Sequence, residues 1–300
     1  MGRIEVGVVL PVQQLGPERR TVRWLDIQEM AFRAEELGFD TIWTPDELLW
    51  QSGATEPAGF WDGISIAGAV AAITSTAKVG TWVMSALHRN PGIIAKTAET
   101  LDEISGGRFV FGLGAGHEWP GQARAFGLPE RQIFDRYEEA LRVIIPLLRG
   151  GRADVDGEWH TARDLVQRPV GPRPNAIPIL MGGNGPRAQR LAVLNADIYS
   201  CYVELRSHVE EFRPRIQSLV RICEELGRDP ATIGRSAGVY VNVMAPIGER
   251  PLAISGTPEQ IADQFRRFGE VGFTSIEVMG PGSVAELEEL APVLELLRAD

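Results

Sequence analysis

"RFVFGLGAGHEWPG", Arg108 to Gly121, sets an apolar run before three glycines at alternate positions, Gly112, Gly114 and Gly116. Two folds compete for it. A dinucleotide-binding turn reads GxGxxG, runs straight into a helix and meets an acidic residue about 20 positions later, at the end of the next strand. Here the spacing is GxGxG, "HEWPGQ" follows, and Asp135 falls inside the helical pattern "IFDRYEEAL". The stretch fails as a dinucleotide fingerprint on all three counts. It reads instead as a strand end, where glycines either form a tight exit or let a flat ligand approach the backbone.

On both sides of this stretch the chain alternates between strand and helix patterns. Ile4 to Leu10, "IEVGVVL", is a β-branched run stopped by Pro11; Trp24 to Leu37 has apolar residues at helical spacing, closed by Gly38; Phe39 to Thr44 is again a strand. The same rhythm predicts strands over Ala77 to Ser85, Arg108 to Phe111, Ile177 to Gly183, Asp197 to Tyr202, Gly238 to Met244 and Thr274 to Met279. Helices are predicted over 64–73, 93–104, 131–148, 186–194, 208–226, 258–271 and 284–297, with Thr257 as an N-cap. Gly150 to Pro174 interrupts the pattern with Gly, Pro and polar residues and a short "DGEWHTA" that suits a hairpin. About eight β-α units imply an α/β fold, a (β/α)8 TIM barrel forming one domain over 1–300 with an insertion near 150–174. An open doubly wound sheet is the competing architecture.

Composition narrows the partners. A net charge of -10 argues against nucleic acid, whose phosphates need basic residues to neutralise them. No apolar run reaches the roughly 20 residues of a membrane span, and "MGRIEVGVVL" lacks the features of a signal peptide, so a cytoplasmic protein is expected. The histidines, His88, His117, His160 and His208, have no metal-ligand spacing, and no metal is expected. Cys201 and Cys223 are expected to be reduced and buried.

Three segments carry a family resemblance. "AKVGTWVMSALHRNPGIIAKTAETLDEISGGRFVFGLGAGHEWPGQARAFGLP", Ala77 to Pro129, closely resembles the bacterial luciferase-like monooxygenase superfamily, which includes FMN-dependent monooxygenases and deazaflavin-dependent oxidoreductases. "IPILMGGNGPRAQRLAVLNAD", Ile177 to Asp197, looks like that family's cofactor-phosphate segment, and "GTPEQIADQFRRFGEVGFTSIEVM", Gly256 to Met279, like its last barrel unit.

The resemblance implies a flavin or 8-hydroxy-5-deazaflavin (coenzyme F420) ring held at the strand C-termini. It places a non-prolyl cis peptide at Trp82–Val83, Ser85 at the ring edge, and Gly114 and Gly116 where the ring needs room. "GGNGPRA" also carries physical logic of its own. Gly182, Gly183, Asn184 and Gly185 expose backbone N–H groups, Pro186 starts a helix whose dipole attracts phosphate, and Arg187 adds charge.

In "WTPDELLW", Asp46 matches the family's cofactor-binding Asp, whereas Glu47 stands where many deazaflavin members have His. Glu47 is therefore a catalytic candidate of altered type. His117, in place of a family Glu after the glycines, is the second candidate, able to move a proton near neutral pH. Trp43, Trp50, Trp61 and Trp119 are expected either on an aromatic lip wall or in the core.

The leading reading is an F420-dependent oxidoreductase that moves a hydride to or from a small organic substrate, acting as a homodimer. Three alternatives stand beside it. An FMN-dependent monooxygenase would insert one oxygen atom from O2, a non-catalytic barrel would bind flavin without turnover, and a lyase or isomerase barrel would bind no flavin at all.

Overall fold

The computed structural model describes residues 3–16, 18–51, 56–116, 120–203, 207–243 and 253–299. Eight parallel strands close on themselves: β1 (Glu5–Val9), β2 (Thr41–Thr44), β3 (Lys78–Thr81), β4 (Phe109–Gly114), β5 (Ile179–Gly182), β6 (Ile198–Tyr202), β7 (Gly234–Val243) and β8 (Ser275–Met279). Each pairs with the next in sequence, and β8 returns to β1 through Glu5 beside Ser275 and Val8 beside Val278. Closure leaves the eight barrel strands without a free edge and rules out the open sheet.

Apart from a short helix after β4 that the sequence pattern does not predict, the helices take the positions that their apolar spacing predicts. They are α1 (Trp24–Leu37), α2 (Gly63–Ile73), α3 (Pro91–Ile104), α4 (Pro120–Phe126), α5 (Ile133–Gly150), α6 (Pro186–Asn195), α7 (Val209–Glu225) and α8 (Pro258–Glu270). Thr257 caps α8 by accepting from the Gln260 N–H, and Gly38 ends α1 in the left-handed region at φ 78°. The predicted last helix divides into Val284–Glu288 and Ala291–Arg298, since Pro292 lacks an N–H and starts a helix better than it continues one. The insertion holds the expected hairpin, with Arg152–Asp156 antiparallel to Thr161–Val166. Among the described residues no helix is long and apolar enough to cross a membrane. Cys201 and Cys223 are free and buried.

Strand side chains alternate between two environments. One face packs against the helices, as with Val6, Val8, Ile42, Val79, Phe109, Phe111, Ile276 and Val278. Burial of each large side chain there contributes about 2 kcal/mol. The other face fills the barrel. Trp43, Val110 and Leu180 form its apolar part, with Val9, Trp82, Val83 and Ile198 packed against them. The same alternation explains the glycines on β4: Gly112 and Gly114 share the inner face with Val110.

Candidate active site at the barrel rim

The predicted strand Ala77 to Ser85 breaks in two. β3 ends at Thr81, Met84–Ser85 pairs again with β4, and between them the Trp82–Val83 bond is cis. The glycines of β4 make room for this detour. A Cβ at Gly112 would run into the Thr81 carbonyl, one at Gly114 would lie 2.7 Å from Val83 Cγ2, and one at Gly116 3.0 Å from Ser85 Oγ. The chain's own Trp82–Val83 bulge occupies the space beside them.

Trp82 fills the barrel top. Its ring lies against Gly238, where a Cβ would come within 2.5 Å, and edge-on to Tyr202 with centroids 6.2 Å apart. Its Nε1–H donates to Ser200 Oγ at 3.0 Å. Trp43, a candidate for the lip wall, is buried inside the barrel over Gly7 and Gly80, whereas Trp50 and Trp61 are half exposed.

The loop after β2 carries Asp46 and Glu47. Asp46 is buried, and its oxygens accept from Arg89 Nη1 at 2.6 Å, Arg89 Nη2 at 2.9 Å and the Ser85 N–H at 2.9 Å. Arg89 also reaches Asp62, the N-cap of α2, at 2.7 Å. These contacts make Asp46 an anchor for the rim. Ser85 is likewise turned inward, its hydroxyl accepting from the Leu87 N–H at 3.3 Å.

Glu47 is placed differently. Burial pushes its carboxyl up to about 7; adjacent Asp46 adds to the effect, while its own backbone N–H and His88 oppose it. Tyr240 of β7 lies within its field and is hydrogen-bonded to Tyr202 of β6. Burial first, then these two neighbours, hold the Tyr240 phenol above its ordinary value. One carboxyl poised near neutrality and two phenols thus converge at the strand C-termini.

Gln122 of α4 fixes this arrangement. Its Oε1 accepts from the N–H groups of Leu48 and Leu49 at 2.8 and 2.9 Å, which leaves its amide nitrogen as a donor to His88 Nε2 at 3.2 Å. On the other side of the ring, His88 Nδ1 faces Asp46 Oδ2 at 3.5 Å. His117 lies outside the described residues, as does Trp119.

Across the barrel, α6 begins at Pro186 with Gly185 as its N-cap, no side-chain cap and no acidic residue in its first turn. Its leading N–H groups are open to an anion. Gly183, at φ 142°, packs against Ala188 where a Cβ would collide, and Gly182 ends β5 beside Val83. Asn184 accepts from Arg215 Nε at 3.2 Å, which brings a guanidinium to the loop. Arg187 turns away to Asp135 and Glu138, both at 2.6 Å. The charge expected from Arg187 is therefore neutralised, and the nearby guanidinium is that of Arg215. These donors fit the phosphate of a flavin or deazaflavin.

Sequence reasoning missed His88, Arg89, Gln122, Tyr202, Tyr240 and Arg215. The first two stand in "ALHRNPG", inside a quoted segment, and a buried Asp46 demands a cation. Nothing local, however, joins Arg89 to a residue 43 positions away.

A family model for luciferase-like monooxygenases matches residues 4–246. An F420-dependent glucose-6-phosphate dehydrogenase of Beutenbergia cavernae is 31% identical over 296 residues, covering 90% of this chain and 76% of that protein. Its counterpart from Nakamurella multipartita is 32% identical over 201 residues, 65% of this chain and 55% of its own length, so that match spans about half of the relative. In fold, the chain is similar to an F420-dependent secondary alcohol dehydrogenase solved with an F420-acetone adduct: TM-score 0.79, 18% identity, 99% of each chain covered.

Proposed function

The chain belongs to the luciferase-like monooxygenase family, and on that basis we propose that it is an F420-dependent oxidoreductase acting on a small organic substrate at the C-terminal rim of the barrel. The observation that carries this reading is Glu47, a carboxyl near its midpoint at neutral pH beside Tyr240 and Tyr202. The names of the two relatives favour the deazaflavin over FMN.

The backbone of 182–185 and the first turn of α6 would hold the cofactor phosphate, and the Trp82–Val83 bulge would back its ring. When bound, the deazaflavin supplies or takes up a hydride. Glu47 handles the accompanying proton: protonated, it donates to a carbonyl oxygen that is being reduced; ionised, it accepts from an alcohol that is being oxidised. Tyr240 keeps its proton and, hydrogen-bonded to Tyr202, lines the same site. Asp46 and Arg89 hold the Glu47 backbone in place. His117 is a second proton-moving group in this reading, and a homodimer is its oligomeric state.

Fluorescence-quenching titration of the apo protein with F420 and with FMN tests the reading. Micromolar binding of F420, tighter than FMN, is expected; tighter FMN would favour the monooxygenase, and binding of neither would end both readings.

A further inference from the structure

A carboxyl group that this chemistry does not use lies deep in the barrel. Glu277, at the centre of β8, is 1% exposed. Strand alternation puts it there, because Ile276 and Val278 on either side belong to the outer core. The Trp43 Nε1–H donates to its Oε2, and the hydroxyls of Ser236 and Ser275 donate to its Oε1 at 2.9 and 2.8 Å. All three donors are neutral. The charge acting on it is that of Glu5 on β1, itself held by Lys78 of β3 at 2.8 Å.

These contacts continue upward as a directed chain. Trp82 Nε1–H donates to Ser200 Oγ at 3.0 Å, the hydroxyls of Ser200 and Ser236 lie 3.4 Å apart, and Ser236 donates to Glu277. An indole N–H can only donate and a carboxylate can only accept. With Glu277 ionised, each hydroxyl therefore accepts from the Trp82 side and donates toward Glu277. With Glu277 protonated, its own O–H can donate to Ser236 and the Ser236–Ser200 link can reverse, so that Ser200 accepts from both Ser236 and Trp82, whose indole N–H still donates.

We propose that Glu277 is a positioning residue whose ionisation state passes through Ser236 and Ser200 to the indole of Trp82, and so adjusts the surface that backs the cofactor ring. The relay is a property of the protein alone; its effect on the ring rests on the proposed cofactor site. Burial pushes the Glu277 carboxyl up to about 7, which puts the change near neutrality.

The test is an NMR titration of the Trp43 and Trp82 indole N–H resonances in ligand-free protein, from about pH 5 to about pH 9. Both should move together, with a midpoint of about 7. Ser200→Ala should abolish the Trp82 movement and keep that of Trp43, and Glu277→Gln should abolish both. A Trp82 movement that survives Ser200→Ala traces to Glu47 and overturns the relay. So does a Trp43 movement without one at Trp82, or no movement at either. None of these outcomes depends on cofactor binding. F420 affinity, measured below and above neutrality, should then vary less with pH in Ser200→Ala than in the unaltered protein. Equal variation would overturn the link to the ring.

Discussion

Asp46 at the rim of the barrel and Glu277 in its floor are both buried carboxyl groups, yet only Asp46 meets a cation. Arg89 grips Asp46 at two points and ties it on to Asp62 and α2. Glu277 is met by an indole and two hydroxyls, with Glu5 as the neighbouring charge. A carboxylate held by a guanidinium is an anchor, because losing its charge strands the partner. One solvated only by neutral donors can take or release a proton without breaking an ion pair. Glu47 resembles Glu277 in this respect, although it sits next to Asp46 in sequence.

The largest expected effect removes the cation. Arg89→Ala leaves Asp46 buried without a partner and should destabilise the protein by about 3 kcal/mol in urea unfolding, at the low end because Arg89 is 20% exposed. Loss of less than a third of that would reduce Asp46 and Arg89 to a surface pair. Next in size, Glu47→Gln should lower kcat about 100-fold. In the unaltered enzyme, carbonyl reduction should slow as pH rises through about 7 while alcohol oxidation speeds up, and the variant should lose both trends.

Glu277→Gln tests the other half of the contrast. In the fold Glu277 keeps its proton from the ordinary 4.5 up to about 7, a window in which the unfolded chain has already released it. The folded state therefore binds more protons there, and stability falls as pH rises through the window. Relative to the unaltered protein, Glu277→Gln should gain on the order of 2 kcal/mol between the two ends of that window. A constant difference would mean that Glu277 stays ionised throughout. The smallest effect is that of Gln122→Ala, which leaves the Leu48 and Leu49 N–H groups and His88 Nε2 without their partner and should cost about 1 kcal/mol, read as a lowered Tm.

The contrast also shows what a sequence makes legible. All eight strands could be found because each is a β-branched or apolar run ended by Pro, Gly or a change of period, and those signals are local. Glu277 was visible as a charge inside "TSIEVM", but its partner Trp43 is 234 positions away and becomes a neighbour only when the barrel closes. "GLGAG" reads as a barrel strand end, and β4 ends there, yet the group filling the space beside it, Val83, depends on a turn in a different strand. The commitments of Asp46 to Arg89 and of Arg187 to Asp135 and Glu138 were hidden for the same reason. Residue type announced a charge; the fold decided which partner it meets.

The central claim is that the rim transfers a hydride while Glu47 moves the matching proton. It is tested by incubating the enzyme with reduced F420 deuterated at its central carbon, a panel of small carbonyl compounds and 18O-labelled O2. The predicted result is deuterium on the former carbonyl carbon and no 18O in the product. Incorporation of 18O, with FMN replacing F420 as the effective cofactor, would contradict it.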